Sequence, residues 1–317
     1  MPDHTVMMPP PAQHVPLYRL PPISKEEAES CRHKSEKFWY RLLVILNILL
    51  IVGVTAIVII RFAEYKQLFD EQFVAALSFS TDQSYYERLA EELPYELRLF
   101  LSGIASLIVL IPSLYYFYAT ERVDAVKITQ RNFPEVYAMI ESYARRLGME
   151  KVPEAYIKQR NGVLNAFAAF LFGRQYIVFN TEIFEVAYRE HHDMEALGFI
   201  AAHELSHIYY RHATLSYNFW ILFSQMLPLF GQAASRTREY SCDRLAQHLT
   251  QYDGIEAMLM LMVDRHLYKM VDKVDYLQQT RETRGFFFFI ENLLSTHPIM
   301  PKRVRALAMK HGSGELF

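Results

Sequence analysis

Two histidines four residues apart could bind one metal ion in the segment AAHELSHIYYRH, residues 201–212. An α-helix advances by 100° per residue, so His203 and His207 lie on one helix face, a single turn apart. Glu204 is rotated one step around the helix, where its carboxylate can take a proton from an attacking water. The spacing predicts a zinc-chelating pair with a general base beside it. The alternative is an amphipathic helix whose histidines are satisfied by neighbouring carbonyl groups.

A catalytic zinc ion needs a third protein ligand, and the segment SRTREYSCDRLA, residues 235–246, offers one. Glu239 and Asp243 are again four residues apart. A second helix can therefore give Glu239 to the metal while Asp243 accepts a hydrogen bond from a ligand imidazole, which fixes the histidine tautomer. Without the first motif, this segment would be an ordinary charged and solvated helix face.

Two long uncharged segments, residues 42–60 and 99–120, predict a membrane hairpin ahead of these motifs. Aromatic side chains stand at their ends, as is typical of a membrane interface: Trp39, Tyr40, Tyr115, Tyr116 and Tyr118. The alternative is a pair of buried helices in a soluble core. The flanking segments carry seven basic residues (Arg32, Lys34, Lys37, Arg41, Arg122, Lys127, Arg131), against four between the spans (Arg61, Lys66, Arg88, Arg98). This bias predicts both termini and the catalytic domain on the cytoplasmic side of an inner membrane.

A third apolar run, residues 213–235, lies between His207 and Glu239 and is long enough to cross a bilayer. A single crossing would put the metal ligands on opposite sides of the membrane. Two crossings of about 20 residues each do not fit between these ligands. The run is also interrupted by Asn218, Gln225, Pro228 and Gln232. We therefore expect a helix pair that is buried or lies on the membrane surface.

The remaining patterns predict an α+β fold that is mainly helical. Residues 1–38 are rich in proline and predict a disordered tail, residues 39–120 predict the membrane hairpin with an acidic loop, and residues 121–317 predict the domain that carries the metal motifs. Short β-branched and aromatic runs before the first motif predict a small antiparallel sheet. The run QYIVFN, residues 175–180, is the expected edge strand, on which an extended peptide could pair. Asn165 could hydrogen-bond that peptide, although a turn asparagine beside core strands is equally compatible.

Charge and cysteine content narrow the classes of function. The net charge is −2, and no basic groove is visible, which argues against nucleic-acid binding. Cys31 and Cys242 lack Cys-x-x-Cys spacing, so the sequence indicates neither a disulfide framework nor a thiolate zinc site.

Four segments, taken in order, resemble the HtpX-like membrane metallopeptidases, which belong to the gluzincin group and are related to the CAAX prenyl endopeptidases. The segments are NAF at 165–167, HELSH at 203–207, REYSCD at 238–243 and THPIMPKR at 296–303. The resemblance covers residues 120–310 and the N-terminal hairpin, and the ordered set is far more specific than any one motif. It implies a gluzincin-type domain that cleaves peptide bonds within proteins at the cytoplasmic face.

The resemblance also implies roles for single residues. Zinc would be bound by His203, His207 and Glu239, with Glu204 as general base and Asp243 supporting a ligand. His297 would donate a hydrogen bond to the tetrahedral oxyanion. Arg303 would anchor that segment, and it counts with Asn165 among the substrate-binding residues. The expected partners are polypeptides, including misfolded and membrane proteins in quality control, and the lipid bilayer; no oligomeric state is predicted.

The chain also departs from the family pattern. HtpX-like proteins place two membrane spans between the histidine motif and the glutamate ligand, whereas this chain has one short apolar stretch, which argues against a prenylated substrate. Cys242 replaces the usual alanine and is not expected to bind zinc. His212 lies off the chelating face, where a structural role is expected, and the FFFF run at 286–289 has no assigned role. A catalytically silent membrane scaffold with a structural zinc ion is the rival hypothesis.

Overall fold

The computed structural model describes residues 20–67, 93–160, 164–171, 174–309 and 314–317. It is mainly helical with one small sheet, which confirms the predicted α+β class. The elements that build the N-terminal half are α1 (Lys25–Ser30), α2 (Glu36–Ile60), α3 (Tyr95–Val123), β1 (Ala125–Lys127), α4 (Pro134–Arg146), β2 (Glu154–Lys158), β3 (Ala166–Leu171), β4 (Arg174–Asn180) and α5 (Thr181–Glu185). The rest of the chain forms α6 (Met194–Tyr209), α7 (Leu215–Phe219), α8 (Phe230–Thr250), α9 (Ile255–Val263), α10 (Lys273–Glu282), α11 (Phe286–Leu294) and α12 (Met300–Met309).

Helices α2 and α3 are long and apolar enough to cross a membrane, as predicted. At most 11% of the most apolar window of either helix is buried, so neither is the core helix of a soluble domain. Arg61 at the end of α2 lies 3.6 Å from Glu96 near the start of α3, which makes the pair an antiparallel hairpin. The predicted tail residues 1–19, and most of the predicted acidic loop, residues 68–92, lie outside the described residues.

The prediction of a disordered tail was wrong for residues 25–38. Helix α1 begins with a capping box, in which Ser24 and Glu27 each bind the backbone N–H of the other. Its Ala28 and Cys31 are buried in the main core. The proline-rich composition ends at Pro22, and the apolar positions after it gain enough burial to order the chain.

The start of α2 packs against the C-terminal part of the chain. Leu43 is buried and joins a cluster with Ile221 and Ala234, well beyond the predicted domain boundary at residue 121. The division of the chain into three domains stays a prediction, but residues of the N-terminal segment are buried in the same hydrophobic clusters as residues of the C-terminal part.

The sheet is mixed, so the prediction of an antiparallel sheet was wrong in this detail. Its strand order is β1-β2-β4-β3, with β2 and β4 parallel and the other two pairs antiparallel. After β2 the chain forms the outer strand β3 first and then returns as β4, which lies between β2 and β3. Consequently QYIVFN lies in a central strand, and the edge strands of the described sheet are β1 and β3.

The apolar run 213–235 forms no helix long enough to span a bilayer, in agreement with the expectation from ligand spacing. It forms the short helix α7, a 3₁₀ turn at Ser224–Met226 and the beginning of α8. Asn47, which is buried in α2, accepts hydrogen bonds from the backbone N–H groups of Phe223 and Ser224 at 2.9 and 3.2 Å. The run therefore lies against the membrane hairpin.

Helices α6 and α8 pack against each other at the centre of the core and carry the two sequence motifs. Asp193 caps α6, because its carboxylate accepts from the Ala196 N–H at 2.9 Å. The small and aliphatic side chains of α6 are buried on nearly all sides, which holds the helix axis rigidly. After α6, Arg211 adopts a left-handed conformation that ends the helix and turns His212 back toward it.

Candidate metal centre

Three ligand atoms converge where α6 faces α8. The Nε2 atoms of His203 and His207 lie 3.3 Å apart. The Glu239 carboxylate places one oxygen 3.5 Å from His203 Nε2 and the other 3.4 Å from His207 Nε2. All three side chains are largely buried. The structure thus brings together the ligand set that the spacing predicts.

These distances fit a tetrahedral zinc ion. Ligand atoms about 2.0–2.1 Å from zinc, at the corners of a tetrahedron, are about 3.3–3.4 Å from one another. The three observed separations match that edge length. Two imidazoles and one carboxylate are also a donor set that zinc accepts in catalytic sites, with the fourth corner left for water or substrate.

The charges in the centre depend on pH. Burial by itself lowers the pKa of His203, but the neighbouring Asp243 and Glu239 carboxylates raise it to about 10. Burial favours the neutral form of Glu239, yet the two imidazoles and Arg303 hold its pKa well below the usual value. A metal ion must displace the His203 proton, so metal binding weakens as the pH falls.

Asp243 supports His203 from behind. Its carboxylate lies 2.9 Å from His203 Nδ1, which leaves Nε2 free to face the ligand set. Arg303 donates to both Asp243 oxygens, at 2.8 and 2.6 Å. Burial raises the pKa of the Asp243 carboxyl, but the charges and hydrogen bonds of Arg303 and His203 together have the larger effect and lower it. The buried Arg303 guanidinium therefore holds Asp243 in place, while its predicted substrate-binding role stays a prediction.

His207 has a support of its own, which the sequence interpretation missed. Its Nδ1 lies 3.2 Å from His212 Nδ1, and His212 Nε2 lies 3.1 Å from a Glu36 oxygen at the start of α2. Burial lowers the pKa of His212 to about 4, so the ring is neutral at physiological pH. The five-residue spacing of His207 and His212 was the one sequence signal of this contact.

Cys242 is a poor metal ligand in this setting. Its sulfur lies 3.7 Å from His212 Nδ1 and belongs to a second compact cluster with His207 and His212. Burial and the surrounding carboxylates raise the pKa of the Cys242 thiol well above its ordinary value. Metals bind the thiolate, so this environment disfavours the cysteine as a ligand.

A cleft of about 490 Å³ opens over the three ligand atoms. Glu204 lines it beside the histidines, one helix step away as predicted. One wall is the edge strand β3 with the exposed Asn165 before it, and α9 contributes the apolar Met258 and Leu261. His297 stands at the rim, 62% exposed, with Nε2 3.8 Å from Glu239. The residues predicted for the substrate side, Asn165, His297 and Arg303, therefore all line one cleft.

Comparison with known proteins agrees with this geometry. A profile described as peptidase family M48 matches residues 130–220 and 215–310, which is more than half of the chain and includes both metal-binding helices. The curated proteins and the solved structures contain no match. The family includes HtpX and the CAAX protease-like membrane zinc metallopeptidases, in agreement with the resemblance. The chain belongs to peptidase family M48.

Proposed function

We propose that the protein is a membrane-anchored zinc-dependent endopeptidase. The observation that carries the proposal is the tetrahedral spacing of His203, His207 and Glu239 beneath an open cleft that Glu204 lines. Membership in a family of zinc metallopeptidases and the two apolar helices support it.

Bound zinc would polarise the scissile carbonyl and lower the pKa of the attacking water. Glu204 accepts the proton of that water and passes it to the leaving amine. His297, at the cleft rim, donates a hydrogen bond to the oxyanion of the tetrahedral intermediate. Asp243 holds His203 in the tautomer that presents Nε2 to the ion.

The shape of the cleft favours an extended polypeptide. Strand β3 is one of the two terminal strands of the described sheet and runs along the cleft wall, so a substrate backbone can pair with it. Asn165, exposed at the start of this wall, is positioned to bind the substrate backbone. Only unfolded or locally extended chains can adopt such pairing. This requirement supports misfolded or membrane-tethered proteins as substrates, in membrane protein quality control.

We further propose that both termini and the catalytic domain lie on the cytoplasmic side of an inner membrane. The excess of basic residues flanking the hairpin supports this orientation. The packing of the run 213–235 against α2 supports a catalytic domain seated close to the bilayer surface.

The rival function is a catalytically silent scaffold with a structural zinc ion. A structural site is closed by a fourth protein ligand. Cys242 is the nearest sulfur donor, but it faces His212 rather than the ligand set. The open cleft over the ligand atoms favours catalysis over a scaffold.

The test is casein cleavage by the detergent-purified wild type beside Glu204→Gln in one preparation. The amide has the size of the carboxylate but cannot accept the proton, so we expect stoichiometric zinc in both proteins and cleavage by the wild type alone. Cleavage by Glu204→Gln would contradict the general-base role. Zinc in both proteins without cleavage by either would favour the scaffold.

A further inference from the structure

Glu36 is a buried carboxylate at the first residue of the first membrane helix. A buried charge is costly unless it is paired and hydrogen-bonded. Three side chains pair with Glu36: Arg32 by a salt bridge, and Ser241 and His212 by hydrogen bonds. The N-terminus of α2 adds a favourable dipole. The carboxylate is therefore held in place from both the N-terminal segment and α8.

The hydrogen bonds that lead from Glu36 through His212 to His207 are compatible with only one position for each ring proton. His207 presents Nε2 to the ligand set, so its Nδ1 carries the proton and donates to His212 Nδ1 at 3.2 Å. The proton of His212 must then reside on Nε2, which donates to Glu36 at 3.1 Å. Any other tautomer of His212 would place two N–H groups against each other.

We propose that Glu36 is a positioning residue for the metal ion and acts through His212 on His207. The arrangement parallels the one behind His203, where Asp243 is the carboxylate. Each ligand histidine thus leads to a buried carboxylate that is paired with an arginine. Such support fixes the tautomer and orientation of the ring and raises its basicity. The inference rests on the proposed zinc site.

The first membrane helix is consequently part of the metal centre as well as an anchor. Glu36 lies 176 residues before His212 in the chain, and His33 reinforces the contact by donating its backbone N–H to Ser241 at 2.8 Å. A change in how α2 seats on α8 would move Glu36 and, through the two imidazoles, alter the affinity for zinc.

A purely structural role of Glu36 has a different consequence. If Glu36 only attached α2 to the domain, another variant that loosens the same attachment would affect the metal equally. Leu43→Ala is this matched control, because Leu43 is buried against Ile221 and Ala234 two turns further along α2.

The experiment measures the zinc dissociation constant of full-length, detergent-solubilised protein by competition with a chromophoric chelator at one fixed pH. The variants are Glu36→Ala, Glu36→Gln and Leu43→Ala. We expect Glu36→Ala to weaken zinc binding about 10- to 100-fold. Glu36→Gln should weaken it less, because the amide oxygen still accepts from His212 and the side chain keeps its volume. Leu43→Ala should bind zinc like the wild type.

Cobalt substitution provides a second readout, since the visible absorption bands of Co²⁺ report ligand geometry. We expect these bands to shift in Glu36→Ala and to stay unchanged in Leu43→Ala. If both Glu36 variants bind zinc at least as tightly as Leu43→Ala does, the inference is overturned, whereas the proposed function is not. A wild type that binds no zinc would overturn the proposed function, and the inference with it.

Discussion

Replacement of Arg303 by methionine should strongly destabilise the protein. The guanidinium makes two hydrogen bonds to Asp243, at 2.8 and 2.6 Å, and both side chains are buried. Methionine fills the space but leaves the Asp243 carboxylate with His203 as its remaining close partner. Breaking a buried ion pair costs about 3–5 kcal/mol. The midpoint of thermal unfolding should therefore fall by on the order of 10 °C.

The matched control is Arg305→Met on the same helix. Arg305 lies 3.4 Å from Glu315, whose side chain is 67% exposed, so loss of this pair should cost about 0–1 kcal/mol. The assay is thermal unfolding of the detergent-solubilised variants, together with the double variant Arg303→Met/Asp243→Asn. The double variant should recover part of the lost stability, because it removes the unpaired charge. An Arg303→Met protein as stable as Arg305→Met would refute this reasoning.

Two further predictions concern the cap of α6 and the seat of the run 213–235. Asp193→Asn removes the ion pair with Lys269, which is 2.7 Å long. Burial raises the pKa of Asp193, but this ion pair and the hydrogen bond from the Ala196 N–H together lower it. The wild type should be more stable than Asp193→Asn by about 1 kcal/mol at pH 7, and denaturant titrations should show this difference shrinking as the pH falls through the folded pKa of Asp193. A difference that stays constant as the solution is acidified would contradict the ion pair. Asn47→Leu leaves the buried Ser224 N–H and the partly buried Phe223 N–H without this acceptor, so the free energy of unfolding should fall by on the order of 2 kcal/mol. An unchanged thermal midpoint would show that this contact is not maintained.

The metal ligands could be predicted from the sequence because their geometry is local. His203 and His207 are one helical turn apart whatever surrounds them, and Glu239 and Asp243 repeat the same spacing on a second helix. The predicted spans rest on the length of uncharged runs, which is also local. The exclusion of a third span followed from the requirement that both motifs share one ion.

Features that depend on distant parts of the chain were not predicted. The order of the strands is set by packing, so the alternation pattern identified strands but assigned the edge to the wrong one. Glu36 appeared as one acid in a basic segment, and its distance of 176 residues from His212 conceals their contact. The pairing of Arg303 with Asp243 was also not predicted, because the two residues are 60 positions apart in the chain.

The most direct test of the account is X-ray absorption at the zinc edge on the purified full-length protein. The account predicts one zinc ion with only nitrogen and oxygen neighbours at about 2.0–2.1 Å, two of them imidazoles. The second cluster of the described residues, His207, His212 and Cys242, would instead add a sulfur neighbour at about 2.3 Å. A sulfur signal would contradict the assignment of His203, His207 and Glu239 as the metal centre. So would a protein that contains no zinc after purification and takes up none when zinc is added.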